Sequence, residues 1–329
     1  MSDNTSIVVC GEKFNIGVRV VLWSEPGGLN AYNTAVVKTQ DRKTGKITVV
    51  KGKRYRSRLA LGGTPKLGKL QGIVKQFALH HSGLYRSRDT YDTLQGRGLS
   101  VHFILDDDGT LYQTLDVCER AFHIGGNNSI SVGIEIDSRA AAGRFPDAYD
   151  EAHQRAHRVG PRRVKIDTIH GQRMKGFEYA DAQYATLVKL TRSLLEIFPL
   201  IKPDFPRNAT GDIVKTTLAN PKGHQGIICH YHVTDTKIDP ISFDYDRFLA
   251  AIGSPVEESE PPAIFNQLSD WRGRQAALEA LGYDPGPIDG IFGPRTEDAL
   301  MRFQNGFGLV STGRWDAETE AAMKQALED

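Results

Sequence analysis

The sequence has few cysteines, no long apolar run and almost no net charge, and each of these features excludes a class of protein. Its three cysteines, Cys10, Cys118 and Cys229, are too few and too widely spaced for a disulfide framework or a paired-cysteine metal site. No stretch approaches the roughly 20 apolar residues that cross a bilayer. Because 41 Lys and Arg balance 40 Asp and Glu, no global field draws the chain to nucleic acid or to an anionic membrane. We therefore expect no nucleic-acid partner and no membrane span, and the sequence leaves the oligomeric state open.

The length of the chain and one proline-rich segment indicate several domains. The 329 residues are about twice the ~150 of a single domain, and 40% of them are hydrophobic, which suffices for a core. Residues 254–262 contain three prolines and three glutamates with little apolar content, which is typical of an extended linker. The prediction is a β-rich N-terminal extension of unassigned role at 1–70, a larger domain at 71–253 with insertions at about 139–178 and 202–225, the linker at 254–262, and a small domain at 263–329.

Apolar patterns predict both strands and helices before the linker. Apolar spacing over 180–198 predicts an amphipathic helix, and 245–252 predicts a closing helix. The two insertions predict loops. The basic run 51–58 predicts a solvated turn, with contact to an anionic polymer as the alternative. The expected fold class is α/β, a mixed β-sheet flanked by helices, plus a small all-α domain of three helices. Strands are predicted at 16–23, in a hairpin over 35–53, and at 72–79, 100–105, 131–136 and 226–230.

Two histidines and one aspartate stand where predicted strands end. His80 directly follows one buried strand, His230 ends another, and Asp239 comes nine residues after His230. Two imidazoles and one carboxylate, with one position left for water, make a ligand set that suits catalytic zinc. Spacing alone does not choose between these histidines and their neighbours, because His81 adjoins His80 and His232 lies two residues after His230.

Five short motifs follow one another along residues 72–252. They lie at 77–82, at 101–104 with 108–110, at 121–125, at 129–135, and at His230 with Asp239-Pro240. In this order they resemble the zinc-dependent N-acetylmuramoyl-L-alanine amidases, the family of phage T7 lysozyme, the recycling amidase AmpD and the peptidoglycan recognition proteins. The resemblance leaves the two insertions unmatched. It implies a hydrolase that cuts the amide between N-acetylmuramic acid and L-alanine of the peptidoglycan stem peptide.

The resemblance also implies roles for single residues. His80, His230 and Asp239 would hold one Zn²⁺ per chain, which favours them over the neighbouring histidines. Glu135 matches the general base of AmpD-like members, and the tyrosine that serves in the T7-like branch is Val101 here. A glutamate inside an apolar strand is costly unless it is functional or paired. Lys237 matches the lysine that stabilises the oxyanion, and the loop that lines the substrate groove in relatives contains His123, Asn127 and Asn128.

Residues 263–329 carry signatures of their own. Three short helices are predicted around a turn-rich loop at 282–293. The sequences Leu281-Gly282-Tyr283, Asp289-Gly290 and Phe303-Gln304 resemble the peptidoglycan-binding domain family. This resemblance implies that Tyr283, Asp289 and Gly290 belong to a wall-binding site, with a role in holding the loop as the alternative for Asp289 and Gly290.

The two resemblances name the same polymer, so the leading hypothesis is a peptidoglycan hydrolase that degrades the cell wall, such as an endolysin or autolysin. A cytoplasmic amidase that recycles soluble anhydro-muropeptides and a non-catalytic peptidoglycan-recognition protein are the alternatives. Residues 1–9 lack the basic and apolar segments of a signal peptide. We therefore expect synthesis in the cytoplasm, and release to the wall would use a non-classical, phage or secretion-system route.

Overall fold

The computed structural model describes residues 4–40, 47–58, 66–157, 159–253, 268, 270–288 and 290–328. The chain divides into two compact units, Met1–Gly253 and Ser254–Asp329. The strands are β1 (Ser6–Val9), β2 (Glu12–Asn15), β3 (Val20–Leu22), β4 (Ala35–Gln40), β5 (Ile47–Gly52), β6 (Tyr55–Ser57), β7 (Gln76–His81), β8 (Phe103–Leu105), β9 (Leu111–Gln113), β10 (Glu119–Ala121), β11 (Ser131–Ile136), β12 (Val164–Ile169), β13 (Gln172–Phe177) and β14 (Gly226–Cys229). The helices are α1 (Leu67–Gln71), α2 (Ser87–Gly96), α3 (Glu151–His157), α4 (Asp181–Ile197), α5 (Tyr245–Gly253), α6 (Trp271–Ala280), α7 (Pro294–Gly306) and α8 (Ala317–Glu328).

A six-stranded mixed sheet forms the centre of the first unit, in the order β14-β7-β11-β8-β9-β3. The strands β14, β7, β11 and β8 run parallel. Strand β9 is antiparallel to β8, and β3 is parallel to β9. The predicted mixed α/β fold is therefore confirmed. The predicted strand at 16–23 is shorter in the structure, where only the three residues of β3 pair.

The central strands explain the continuous apolar runs of the sequence. The first five residues of β7 are buried, and β14 is buried throughout. Such runs are what parallel strands covered on both faces require. Helix α4 contributes Leu187, Leu190 and Leu194 to the same core as Phe77 and Ile227. Because the carboxyl ends of parallel strands meet at one edge, the residues that end β7, β11 and β14 come together there.

Several described strands of the segment 1–70, predicted as an N-terminal extension, are built into this unit. Strand β3 is an edge of the six-stranded sheet, and Ile7 and Val9 are fully buried in its core. The side chain of Gln113 accepts a hydrogen bond from Val8 N at 2.8 Å and donates one to Val8 O at 2.7 Å. Residue 70 is therefore no structural boundary.

The basic run 51–58 is not a solvated turn, contrary to the prediction. Strand β6 pairs with β10, and Arg54 and Arg58 are each only 1% exposed. Two of its five cations are therefore buried. The predicted hairpin turn at 41–46 and the linker at 254–262 lie outside the described residues.

The insertion at 139–178 contains regular structure where the sequence predicts a loop. It holds α3 and the antiparallel hairpin β12–β13. In β12 the usual burial of apolar and exposure of polar side chains is reversed, since Val164 and Ile166 are exposed while Asp167 is buried. Lys215 Nζ at 2.7 Å and Ser242 N at 2.8 Å satisfy the Asp167 carboxylate. The insertion at 202–225 is largely irregular, as predicted, with one 3₁₀ turn at Pro221–Gly223.

The second unit contains the three predicted helices, α6, α7 and α8. Leu278, Leu300, Phe303 and Met323 are fully buried in a core of its own. Asp270 caps α6 by accepting a hydrogen bond from Gly273 N at 2.8 Å. In the part of the chain that the structure describes, no helix combines the length and apolarity that crossing a membrane requires.

Candidate metal centre and catalytic groups

The carboxyl edge of the sheet gathers the three predicted metal ligands. His80 is the fifth residue of β7, and His230 directly follows β14 at the start of a 3₁₀ turn. The chain then returns, and His230 N donates a hydrogen bond to Asp239 O at 3.1 Å. Two parallel strands and one return loop therefore bring together residues 150 positions apart.

The three donor atoms of this cluster form a compact triangle. His80 Nδ1 lies 3.0 Å from His230 Nδ1 and 3.1 Å from Asp239 Oδ2. His230 Nδ1 lies 2.9 Å from the same carboxylate oxygen. Ligands at ~2.0–2.1 Å from a tetrahedral zinc ion lie at about this mutual separation. The donor set and its spacing therefore fit one zinc ion.

The structure also resolves which histidines are excluded from the cluster. His81 points to the other side of β7, where its Nδ1 lies 3.3 Å from both Tyr179 Oη and Ile241 N. His232 is fully buried, with Nδ1 accepting from Cys229 N at 2.8 Å and Nε2 donating to Val214 O at 2.6 Å. Both rings are satisfied by structural contacts, so the cluster contains the residues that the resemblance implies.

Burial and hydrogen-bond contacts set the charge states of His80 and Asp239. Burial, followed by the neighbouring His230, lowers the pKa of His80 to about 4, so its ring is neutral near pH 7. Burial alone would raise the pKa of Asp239, but its contacts with His230 and His80 outweigh burial and hold that pKa well below its usual range. A neutral imidazole and an ionised carboxylate are the forms that bind a cation.

Glu135 lies beside the cluster on the adjacent strand. It is the register partner of His80 across the β11–β7 pair. Its Oε2 is buried and has no hydrogen-bond partner among the described residues. Burial first, then the charges of Asp239 and Asp137, raise the pKa of Glu135 well above its ordinary value. A carboxyl group of raised pKa with one uncommitted oxygen is suited to accept and return a proton.

Lys237 provides positive charge on the loop that carries Asp239. Its charge opposes the rise in the pKa of Glu135 and contributes to the fall in the pKa of His80. The His170 ring at the tip of hairpin β12–β13 donates from Nε2 to Lys237 O at 2.9 Å. The insertion therefore anchors the backbone of the predicted oxyanion-stabilising residue.

The three predicted substrate contacts have different surroundings. Asn127 is 2% exposed, and its amide donates to Gln76 Oε1 at 2.8 Å, so its side chain supports the interior of the fold and a substrate contact by it stays a prediction. The Asn128 side-chain oxygen accepts from His123 N at 3.0 Å and Ile124 N at 2.8 Å. Asn128 and His123 are partly exposed, and substrate contact by either stays a prediction.

His123 has a further contact that the sequence reasoning missed. Its Nδ1 lies 3.0 Å from Nε2 of the ligand His80. The ring packs over Gly133, where an added Cβ would come within 2.4 Å of it. The glycine between two apolar residues of the 129–135 motif is the sequence signal that could have indicated such a close approach.

Two of the three predicted contact residues of the second unit make contacts within its own fold. Tyr283 packs edge-on against Phe303, with ring centroids 5.6 Å apart. Gly290, at φ +80°, donates its N–H to Oε1 of the buried Gln275 at 2.8 Å. Asp289 lies outside the described residues. Tyr283 and Gly290 therefore hold the module together, and a direct wall contact by either stays a prediction.

The loop clamped by Gln275 presents apolar side chains to solvent. Ile291 is 68% exposed, and Phe292 is 38% exposed and lies 4.2 Å from the Trp271 ring centroid. Trp271 lies 6.2 Å from Trp315. We call Trp271, Ile291, Phe292 and Trp315 the aromatic face. Exposed apolar side chains beside partly buried rings are a candidate contact surface.

Known structures and proteins resemble parts of the chain. A structure of an AmpD derivative is 18% identical and covers 60% of this chain and 90% of its own, with a TM-score of 0.35. AmpDh3 from Pseudomonas aeruginosa is 18% identical and covers 88% of this chain and 97% of its own, with a TM-score of 0.36. A protein named as OxPP cycle protein OpcA, from Synechococcus elongatus, is 46% identical over 54 residues. The matched segment makes up 16% of this chain and 12% of that relative, so the chain spans only a small part of the relative's length.

Two protein families match the two units. Residues 268–323, in the second unit, match a peptidoglycan binding domain family. Residues 70–242 match the N-acetylmuramoyl-L-alanine amidase family, and this match covers more than half of the chain and includes the whole His80, His230 and Asp239 cluster. The chain therefore belongs to the N-acetylmuramoyl-L-alanine amidase family.

Proposed function

We propose that this chain is a zinc-dependent peptidoglycan amidase that cuts the bond between N-acetylmuramic acid and L-alanine. The observation that carries the proposal is the triangle of the buried His80 and Asp239 and the partly buried His230, with the unpartnered oxygen of Glu135 beside it. A metal-ligand set next to a carboxyl group of raised pKa is an arrangement suited to hydrolysis of an amide.

His80, His230 and Asp239 would hold the ion through Nδ1, Nδ1 and Oδ2. A bound Zn²⁺ supplies Lewis acidity, which polarises a carbonyl group and eases deprotonation of water. The neutral state of His80 and the ionised state of Asp239 support this assignment.

Glu135 transfers the proton during hydrolysis, and Lys237 supplies positive charge. Glu135 accepts a proton from the attacking water through its unpartnered oxygen. It then donates that proton to the amino group of L-alanine as the C–N bond breaks. Lys237 supplies fixed positive charge to the carbonyl oxygen, on which negative charge develops.

The second unit would hold the enzyme on its polymer substrate through the aromatic face. Flat indole and phenyl rings offer apolar area to the C–H faces of sugar rings, at little cost in side-chain entropy. The Arg274 guanidinium carbon lies 5.0 Å from the Trp271 ring and 4.7 Å from the Trp315 ring, which adds a cation for the carboxylates of stem peptides.

Product analysis tests this function. Purified peptidoglycan and a soluble anhydro-muropeptide are digested separately, and the fragments are identified by mass spectrometry. We expect stem peptides with a free L-alanine amino terminus and glycan that retains its lactyl groups. New reducing sugar ends or shortened stem peptides would contradict the proposed bond. Cleavage of the soluble fragment alone would favour recycling over wall degradation.

A further inference from the structure

The buried guanidinium of Arg58 is held by backbone carbonyls. Arg58 follows β6, is 1% exposed and makes no ion pair with any residue that the structure describes. Burial lowers its pKa to about 10, so it remains charged. Burying a cation without an ionic partner is costly, and its contacts indicate what the placement achieves.

These contacts join the N-terminal segment to the loop before β11. Nη1 of Arg58 donates to Ser129 O at 2.6 Å and to Asn128 O at 3.2 Å. Nη2 donates to Ser131 O at 2.9 Å and to Val117 O at 3.3 Å. The fork geometry of arginine lets one side chain donate to four backbone carbonyls at once.

The loop that Arg58 holds carries both supports of His123. The Asn128 side chain accepts from His123 N at 3.0 Å, and Ser131 Oγ lies 3.3 Å from His123 Nε2. Ser131 Oγ donates its own proton to Asn127 O at 2.9 Å. The hydroxyl can therefore only accept from His123, so Nε2 carries the proton of that ring.

This protonation continues into the metal centre. Since His123 is protonated on Nε2, its Nδ1 carries a lone pair and accepts a hydrogen bond from His80 Nε2 at 3.0 Å. His80 then carries its proton on Nε2, and its Nδ1 lone pair faces His230 and Asp239. A ligand histidine whose other nitrogen is hydrogen-bonded is fixed in both tautomer and orientation.

We propose that Arg58 is a positioning residue for the metal centre. It fixes the 128–131 loop, so that Asn128 and Ser131 hold His123, and His123 presents His80 Nδ1 to the ion. The N-terminal segment, which carries no motif, thereby supplies part of the support of the catalytic site. The inference rests on the proposed zinc dependence.

A purely electrostatic effect of Arg58 has the opposite sign. A buried positive charge repels a cation, so removing it would tighten zinc binding. Loss of positioning leaves His80 free to take the wrong tautomer, and zinc binding weakens. The direction of the change therefore separates the two effects.

Arg54 provides a matched control. It is in the same segment, is also 1% exposed, and donates to Asn30 O at 3.2 Å and Tyr91 Oη at 3.4 Å. These contacts do not involve the 128–131 loop. Replacing Arg54 by Met removes a buried guanidinium without touching the support of His123.

The experiment compares wild type, Arg58→Met, Arg58→Lys and Arg54→Met in the full chain. The Zn²⁺ dissociation constant is measured by competition with a chelating indicator, the Co²⁺ absorption spectrum reports ligand geometry, and thermal unfolding reports stability. We expect Arg58→Met to weaken Zn²⁺ binding by about 10–100-fold and to alter the Co²⁺ spectrum. Arg58→Lys should weaken binding less, because it keeps some of the carbonyl contacts. Arg54→Met should keep wild-type zinc affinity, whatever its effect on the Tm.

Wild-type or tighter zinc binding by Arg58→Met would overturn the inference, and so would equal weakening in Arg54→Met. If Arg58→Met does not fold, Ser131→Ala and Arg58→Lys test the inference in its place. Wild-type Zn²⁺ affinity in either variant refutes the proposed link between Arg58 and the metal centre. A wild-type protein that binds no zinc would instead contradict the proposed function itself.

Discussion

Replacing Glu135 by Gln should separate proton transfer from folding and from metal binding. Glutamine has nearly the same shape, so the β11–β7 register and the ligand triangle should persist. The buried Oε2, which has no partner among the described residues, would lose its ability to accept a proton. A general base contributes about 10²–10⁴-fold, so kcat should fall by that factor, which is about 3–5 kcal/mol in the barrier.

The same change should not cost stability. Burial, Asp239 and Asp137 all disfavour the charged form of Glu135, which raises its pKa well above the usual range. An uncharged amide avoids that cost, so the metal-free variant should unfold at the same temperature as wild type or higher at pH 8. The predicted signature is therefore a large loss of turnover with retained zinc and undiminished Tm.

Asp137 supplies the control for this experiment. It lies two residues after Glu135 and is also buried. Its carboxylate accepts hydrogen bonds from Ser87 Oγ at 2.6 Å and Thr90 Oγ1 at 2.5 Å, on helix α2, instead of facing the candidate metal ligands. Asp137→Asn should keep its activity. Turnover is measured on a soluble muropeptide with zinc content determined in parallel. Near-normal turnover by Glu135→Gln, or an equal loss in Asp137→Asn, would refute the assignment of the base.

Four further predictions concern the metal, pH and the wall. His230→Ala should lose the stoichiometric zinc of wild type in elemental analysis, because one corner of the triangle is gone, and retention would refute the ligand set. Burial and then Asp106 raise the pKa of Asp137 from 3.8 to about 8, so its contribution to stability is present at low pH and is lost as pH rises from about 4 through 8. Asp137→Asn should therefore raise the Tm relative to wild type at pH 9 but not at pH 4, and an equal shift at both would contradict this. Removing residues 254–329 should weaken sedimentation with cell-wall sacculi and spare cleavage of soluble muropeptide. Ile291→Ser should reduce wall binding more than Val310→Ser, a change at a 79% exposed site outside the aromatic face, and equal effects would exclude that face.

The sequence predicts the sheet and the strand-end positions of the candidate metal ligands because both depend on local patterns. Continuous apolar runs mark the parallel strands, and His80 and His230 stand at their ends. The choice between His80 and His81 is different, since adjacent residues of a strand face opposite sides and only the register shows which side meets β14. The resemblance supplied that choice before the structure did.

The features that the sequence could not predict depend on contacts between distant segments. Asn127 looks like a loop residue, yet it pairs with Gln76 in the buried interior. Arg58 lies in a basic run that is typical of a solvated turn, but its guanidinium binds carbonyls about 60 to 70 residues away. Neither composition nor spacing encodes such partners, because a polar residue is buried only where the fold supplies its hydrogen bonds.

Titration of the metal-free protein with zinc tests the central claim most directly. The protein is stripped with a chelator, and release of L-alanine-terminated stem peptide is followed as zinc is added back. We expect no cleavage without zinc, a linear rise, and a plateau at one equivalent per chain, which His230→Ala does not show. Full cleavage by the stripped protein, or a plateau that persists in His230→Ala, would contradict a catalytic metal centre at His80, His230 and Asp239.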